Sequence, residues 1–125
     1  MLNLIRNLDY VVLLCEDTTP MKAFYHGTLG FPIYRDWEGW IELRVGATLL
    51  TLRRRGRPYD GVKNPNSAGV QLAFRVSPDE VRACYNELLH KQVEIIEAPR
   101  DQEYGHRTLF FKDPEGNILE IYADI

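Results

Sequence analysis

Asp113-Pro114-Glu115-Gly116-Asn117-Ile118-Leu119-Glu120-Ile121-Tyr122 is the stretch whose reading decides the fold. Its first five residues are all turn formers, with Pro presetting φ and Gly or Asn accepting positive φ. A strand follows at once, placing Ile118, Glu120 and Tyr122 on one face and Leu119 and Ile121 on the other. A carboxylate inside an otherwise apolar strand is costly to bury unless something pairs with it. Glu120 therefore either faces water or marks a site, and the strand alone leaves both readings open.

Moving back along the chain, Arg107 to Lys112 reads as a strand, 98–105 as a polar loop and Val93 to Glu97 as another strand. Ser77-Pro78-Asp79-Glu80 predicts a helix start, with a Ser cap, Pro at the first helical position and Glu closing a capping box. Val81, Cys84, Tyr85, Leu88 and Leu89 supply its apolar stripe. Before it, Gly69 to Val76 alternates as a strand, with Val70, Leu72, Phe74 and Val76 opposite Gln71, Ala73 and Arg75. The first half of the chain repeats this plan. Asp9 to Cys15 is a dense β-forming run, and Thr19-Pro20 predicts a helix cap. Met21, Phe24, Tyr25 and Leu29 follow at helical spacing to a stop at Gly30. Strands are expected over Phe31 to Trp37, Trp40 to Val45 and Thr48 to Arg53, joined by minimal turns as in an antiparallel meander. Leu2, Leu4 and Ile5 predict that residues 1–8 pack on the body.

A strand–helix–three-strand unit stated twice is an internal repeat. The fold class expected is α+β: two βαβββ modules within a single domain of 125 residues, module one about 8–54, a linker about 55–68 and module two about 69–123. Helices would cover one face of each sheet, and the open faces would enclose a groove between the halves, the usual place for a small-molecule site.

Composition narrows the function classes. With 45% hydrophobic and 26% charged residues, this is ordinary globular content. A net charge of −3 provides no general attraction for nucleic acid or anionic lipid, and the basic run Arg53-Arg54-Arg55-Gly56-Arg57 is short. No apolar run approaches the roughly 20 residues of a membrane span. Cys15 and Cys84 sit in separate apolar elements without a disulfide or CxxC pattern, reading as buried thiols of a cytoplasmic protein.

Phe24-Tyr25 followed by Leu29-Gly30-Phe31, and Phe110-Phe111-Lys112-Asp113-Pro114-Glu115-Gly116-Asn117 before Leu119-Glu120, resemble the vicinal oxygen chelate superfamily: glyoxalase I, bleomycin-resistance proteins, fosfomycin-resistance enzymes and extradiol dioxygenases. The resemblance runs from about Leu8 to Tyr122. It implies four metal-ligand positions, occupied in this sequence by Tyr10, Thr51, Gln71 and Glu120. A divalent transition ion wants imidazole, carboxylate or thiolate, and only Glu120, then Gln71, are usual ligand types. Tyr and Thr hydroxyls would have to lose protons held at high pKa. Of the histidines, His26 and His90 read as helix or helix-end residues, and His106 opens a strand, where it could be a loop residue or a ligand. The expectation is that no metal or other cofactor is held; if any is, Gln71, Glu120 and His106 would hold it.

Trp37 and Trp40 flank the Glu38-Gly39 turn, where they either stack across strands or offer a flat ligand a platform. Arg53 and Arg75 share the open face and could neutralise Glu120 or attract an anionic ligand. The functional expectation is a small-molecule binding protein of the glyoxalase/bleomycin-resistance type that sequesters an aromatic or antibiotic-like ligand without metal. Its contacts would be Tyr10, Trp37, Trp40, Thr51, Gln71, Arg75 and Glu120. The alternative is a metal-dependent lyase or dioxygenase using Glu120 and Gln71; metal-free acid–base chemistry by Glu120 beside Tyr10 is a third possibility, so whether the chain is an enzyme stays open. A homodimer is expected from the resemblance, and neither nucleic acid nor membrane is an expected partner.

Overall fold

The structure, a computed structural model, describes residues 1–125. The chain divides into two compact units, Met1–Val62 and Lys63–Ile125, with the division inside the expected linker. The first unit contains β1 (Tyr10–Cys15), α1 (Thr18–Lys22), β2 (Ile33–Trp37), β3 (Trp40–Val45) and β4 (Thr48–Arg54). The second contains β5 (Gln71–Arg75), α2 (Glu80–His90), β6 (Ile95–Asp101), β7 (His106–Lys112) and β8 (Ile118–Asp124). Each unit holds one four-stranded mixed sheet, ordered β1-β4-β3-β2 and β5-β8-β7-β6, with β1–β4 and β5–β8 parallel and the remaining pairs antiparallel. This is the α+β, twice-stated βαβββ plan expected from the sequence.

Register settles which side chains meet the helices. In the first unit Leu13, Cys15, Leu50, Leu52, Ile41 and Leu43 lie on one face and are buried with Met21, Phe24 and Tyr25. In the second, Leu109, Phe111, Leu119, Ile121 and Ala123 are buried with Val81 and Leu88 of α2. The Asp113 turn is built as its residue types dictate. Asp113 Oδ1 accepts the backbone N–H groups of Glu115 and Asn117 at 2.9 and 3.0 Å, and Asn117 Nδ2 donates to Asp113 Oδ2 at 2.7 Å. Gly116 sits at φ 85°, in the left-handed region that favours glycine. Gly69 is required for a different reason: a Cβ there would lie 2.9 Å from Asn117 Oδ1.

Several boundaries differ from expectation. The first helix is capped by Asp17, whose carboxylate accepts Thr19 N–H at 3.0 Å, and it continues over Ala23–Thr28 as a π-helix before Gly30 ends it. A cap one residue before Thr18 leaves Thr19 free to be helical. Strand β6 runs on to Asp101 through part of the stretch expected to be loop, because Arg100 and Asp101 pair with Thr108 and Arg107 across register shifts. Helix α2 begins at Glu80, and Glu80 reaches back to Ser77 N–H at 2.9 Å and to the Ser77 hydroxyl, so the capping-box return contact forms one turn earlier than regular helix. Residues 1–8 do not pack: Leu2, Leu4, Ile5 and Leu8 are exposed beside a single short 3₁₀ turn. Cys15 is buried as expected, whereas Cys84 is only half-buried. No helix is long and apolar enough to cross a membrane.

Candidate functional site

The candidate residues lie on the faces turned away from the helices. In the first unit this face carries Tyr10, Val12 and Leu14 of β1; Leu49, Thr51 and Arg53 of β4; Trp40, Glu42 and Arg44 of β3; and Arg35 and Trp37 of β2. Tyr10 and Trp40 approach edge to face with ring centroids 6.2 Å apart. Trp37 pairs directly with Trp40 across the hairpin and is 58% exposed. The Arg35 guanidinium lies 5.2 Å from the ring centroids of both Tyr34 and Trp37. Tyr10, Trp37 and Trp40 are thus brought together on one surface.

Thr51 and Arg53 are buried on this face and not open as expected. Thr51 is fully buried, because β4 is an interior strand flanked by Val12 on β1 and Glu42 on β3. Arg53 is buried as well and makes a two-pronged ion pair with Asp60, at 2.9 and 2.8 Å. Asp60 also accepts the backbone N–H groups of Gly56 and Arg57 at 2.9 and 2.7 Å. The Arg53 guanidinium and these amides hold the Asp60 carboxyl far below the ordinary carboxylate range. The segment expected to be an unstructured linker therefore begins as a turn wrapped around one carboxylate. Arg53 is spent on that turn, and Arg55 pairs with Glu16 at 3.1 Å, so two of the four arginines of the basic run are neutralised locally.

On the second unit the corresponding face carries Gln71, Ala73 and Arg75 of β5, Ile118, Glu120, Tyr122 and Asp124 of β8, and His106, Thr108 and Phe110 of β7. Gln71 Nε2 donates to Glu120 Oε1 at 3.4 Å, a long contact that leaves the half-buried carboxylate most of its accepting capacity. Arg75 does not neutralise Glu120. It pairs with Asp124 and lies 5.1 Å from the Tyr122 ring centroid. His106 Nε2 is 3.2 Å from Asp124 Oδ1, and its ring lies 4.7 Å from that of Tyr122 and 5.2 Å from that of Tyr104. Arg75, first, and then His106 hold the Asp124 carboxyl below its usual range. Sequence reading missed Asp60 and Asp124 because each lies outside the strand stretch being read, and it missed Glu42 although Trp40-Ile41-Glu42 carries the same signal as Leu119-Glu120, a carboxylate inside an apolar strand.

The four positions at which the resemblance implies metal ligands do not offer a transition ion its usual donors. Tyr10 and Thr51 offer neutral hydroxyls, that of Thr51 fully buried, and Gln71 offers an amide already turned to Glu120. His106, on β7, pairs with Asp124, four residues along β8 from Glu120. No group of three or more His, Cys, Asp or Glu side chains gathers in the chain. A divalent transition ion needs three or four such donors.

The family model for the glyoxalase/bleomycin resistance protein/dioxygenase superfamily matches residues 7–121. The uncharacterized protein YwkD of Bacillus subtilis is 30% identical over 127 residues, covering 95% of this chain and 98% of that one. The metallothiol transferase FosB of Lysinibacillus sphaericus is 20% identical over 120 residues, covering 95% and 83%. A solved glyoxalase/bleomycin resistance protein/dioxygenase from Nocardioides superposes with a TM-score of 0.84 at 22% identity, covering 97% of this chain and 85% of that one, which shows the fold. With the match spanning both repeats and the turn before Glu120, this chain belongs to the glyoxalase/bleomycin resistance protein/dioxygenase superfamily.

Proposed function

We propose that the protein is a small-molecule binding protein that holds a flat aromatic ligand without a metal ion and acts by sequestering it. The observation that supports this most is the aromatic surface of the first unit, where Tyr10 and Trp40 meet edge to face and Trp37 stands 58% exposed beside them. Trp and Tyr offer broad contact area with few rotors to freeze. On the second unit, Gln71, Arg75 and Glu120 are proposed as polar contacts for a ligand, with Glu120 retaining accepting capacity beyond its contact with Gln71. The FosB relative is named a metallothiol transferase, but the Tyr10, Thr51, Gln71 and Glu120 donor set does not favour metal-dependent chemistry in this chain. A homodimer in the cytoplasm is part of the same proposal.

The test is a tryptophan-fluorescence titration with flat aromatics such as flavone and anthraquinone, with and without EDTA. Saturable quenching that EDTA leaves unchanged is expected. Stacking contributes about 0.5–1.5 kcal/mol beyond area burial, so Trp40→Ala should weaken binding by roughly 2- to 13-fold. Metal analysis should find no stoichiometric Zn, Ni, Fe or Mn. Binding that vanishes with EDTA and survives both Trp37→Ala and Trp40→Ala would overturn sequestration and favour the metal-dependent lyase or dioxygenase using Glu120 and Gln71.

A further inference from the structure

Two polar side chains on the first unit's aromatic face lack hydrogen-bond partners. Glu42 and Thr51 are direct cross-strand partners on β3 and β4, so their side chains leave the sheet together, with Cβ atoms about 5 Å apart. Glu42 is 8% exposed and Thr51 not at all, yet neither Glu42 Oε1 nor Thr51 Oγ1 makes a hydrogen bond. Buried polar groups are almost always bonded, and the second unit shows the ordinary arrangement: buried Thr108 accepts from Gln102 Nε2 at 3.0 Å and donates to Arg100 O at 3.4 Å. The one cation near Glu42 is Arg35, whose Nε lies 3.6 Å from Oε1, too far for a hydrogen bond. In that same position the half-exposed Arg35 guanidinium also lies 5.2 Å from the Tyr34 and Trp37 ring centroids.

We propose that Glu42 and Thr51 form a subsite for a cationic nitrogen group, an amidinium or ammonium carried by an aromatic ligand. This rests on the aromatic reading above and gives it a ligand class. A carboxylate only accepts, so what completes it must bring N–H or O–H donors. An amidinium presents paired N–H groups that can reach Glu42 Oε1 and Thr51 Oγ1 together, and charge-assisted bonds of this kind are the strong ones. The Tyr10 and Trp40 rings on the same face favour a cation over a neutral donor through their quadrupoles. Entry requires Arg35 to yield its place beside Oε1, and its half-exposed side chain can swing into solvent to do so.

Benzamidine, benzamide and benzoate, matched in ring and size, separate the cases when titrated into the full chain by calorimetry and tryptophan fluorescence. Benzamidine is expected to bind at least 10-fold tighter than benzamide, and benzoate not to bind. Glu42→Gln, with its fold checked by near-ultraviolet circular dichroism, should lower benzamidine affinity at least 10-fold and leave that for benzamide within about 2-fold. Should Glu42→Gln fail to fold, Thr51→Val, which keeps the side-chain shape, should still lower benzamidine affinity several-fold. Equal binding of benzamidine and benzamide would overturn the subsite and leave the aromatic reading standing. No benzamidine binding while flavone binds would do the same, and failure of every flat aromatic would remove both. Benzamidine binding untouched by Glu42→Gln or by Thr51→Val would also refute it.

Discussion

Thr51→Val should make the protein more stable. An unbonded buried hydroxyl carries a desolvation penalty of about 1–3 kcal/mol, and replacing it with a methyl group removes that penalty without creating a cavity. Both residues are β-branched, so strand propensity and side-chain rotamer freedom hardly change. Its direct cross-strand neighbours on the face are Val12 and Glu42. A gain of about 1–2 kcal/mol is expected, which for a chain of this size raises the melting temperature by roughly 3–10 °C. Thr108→Val is the internal control. That hydroxyl is equally buried but bonded to Gln102 and Arg100, so its removal should cost about 1–3 kcal/mol by leaving the Gln102 amide short of a partner. Calorimetric scanning and urea unfolding of the two variants measure the difference directly. If Thr51→Val loses stability to the same extent as Thr108→Val, Thr51 Oγ1 is bonded in solution and the reasoning fails.

Leu119→Ala removes a fully buried side chain from the α2-covered face and should cost about 2–5 kcal/mol, whereas Glu120→Gln should cost well under half of that; equal losses in urea unfolding would contradict the face assignment. Asp60 contributes stability that is fully present above the ordinary carboxylate range, near pH 4 and up, and is lost as pH falls toward its depressed folded value. Asp60→Ala should therefore destabilise the protein at pH 7, with the gap to wild type narrowing below about pH 4 in acid-titrated melts. A gap that stays constant down to pH 2 would show that Asp60 acts through shape and not charge.

The architecture was legible because period-2 alternation and helix caps are local signals. Leu72, Phe74, Leu119 and Ile121 alternate against Gln71, Ala73 and Glu120 within single strands, and each register follows from the next. The site was legible only as far as residue type and face. Nothing local to Thr51 says that its strand lies in the sheet interior, because burial there depends on neighbours nearly forty residues away in sequence, Tyr10 to Cys15. Nor does Arg53 announce that Asp60 will fold back on it; the signal was the Gly56–Asp60 turn chemistry, which reads equally as a flexible linker. Leu2, Leu4 and Ile5 misled in the opposite direction, since apolar residues without periodicity do not specify what they pack against.

The sheet order governs the timing of folding. β4 is made last in the first unit and β8 last in the second, yet each is an interior strand, inserted between the first-made strand of its unit and the strand just before it. Until β4 arrives, β1 has no strand to pair with and β3 is bonded on only one side; β5 and β7 wait in the same way for β8. Closing such long loops is slow relative to forming hairpins. A growing chain therefore carries additional open β edges, the usual templates for aggregation, until its closing strand is released. A strand that inserts into a slot bordered on both sides also makes each unit all-or-none: interrupted synthesis leaves two unmatched edges instead of a slightly smaller sheet.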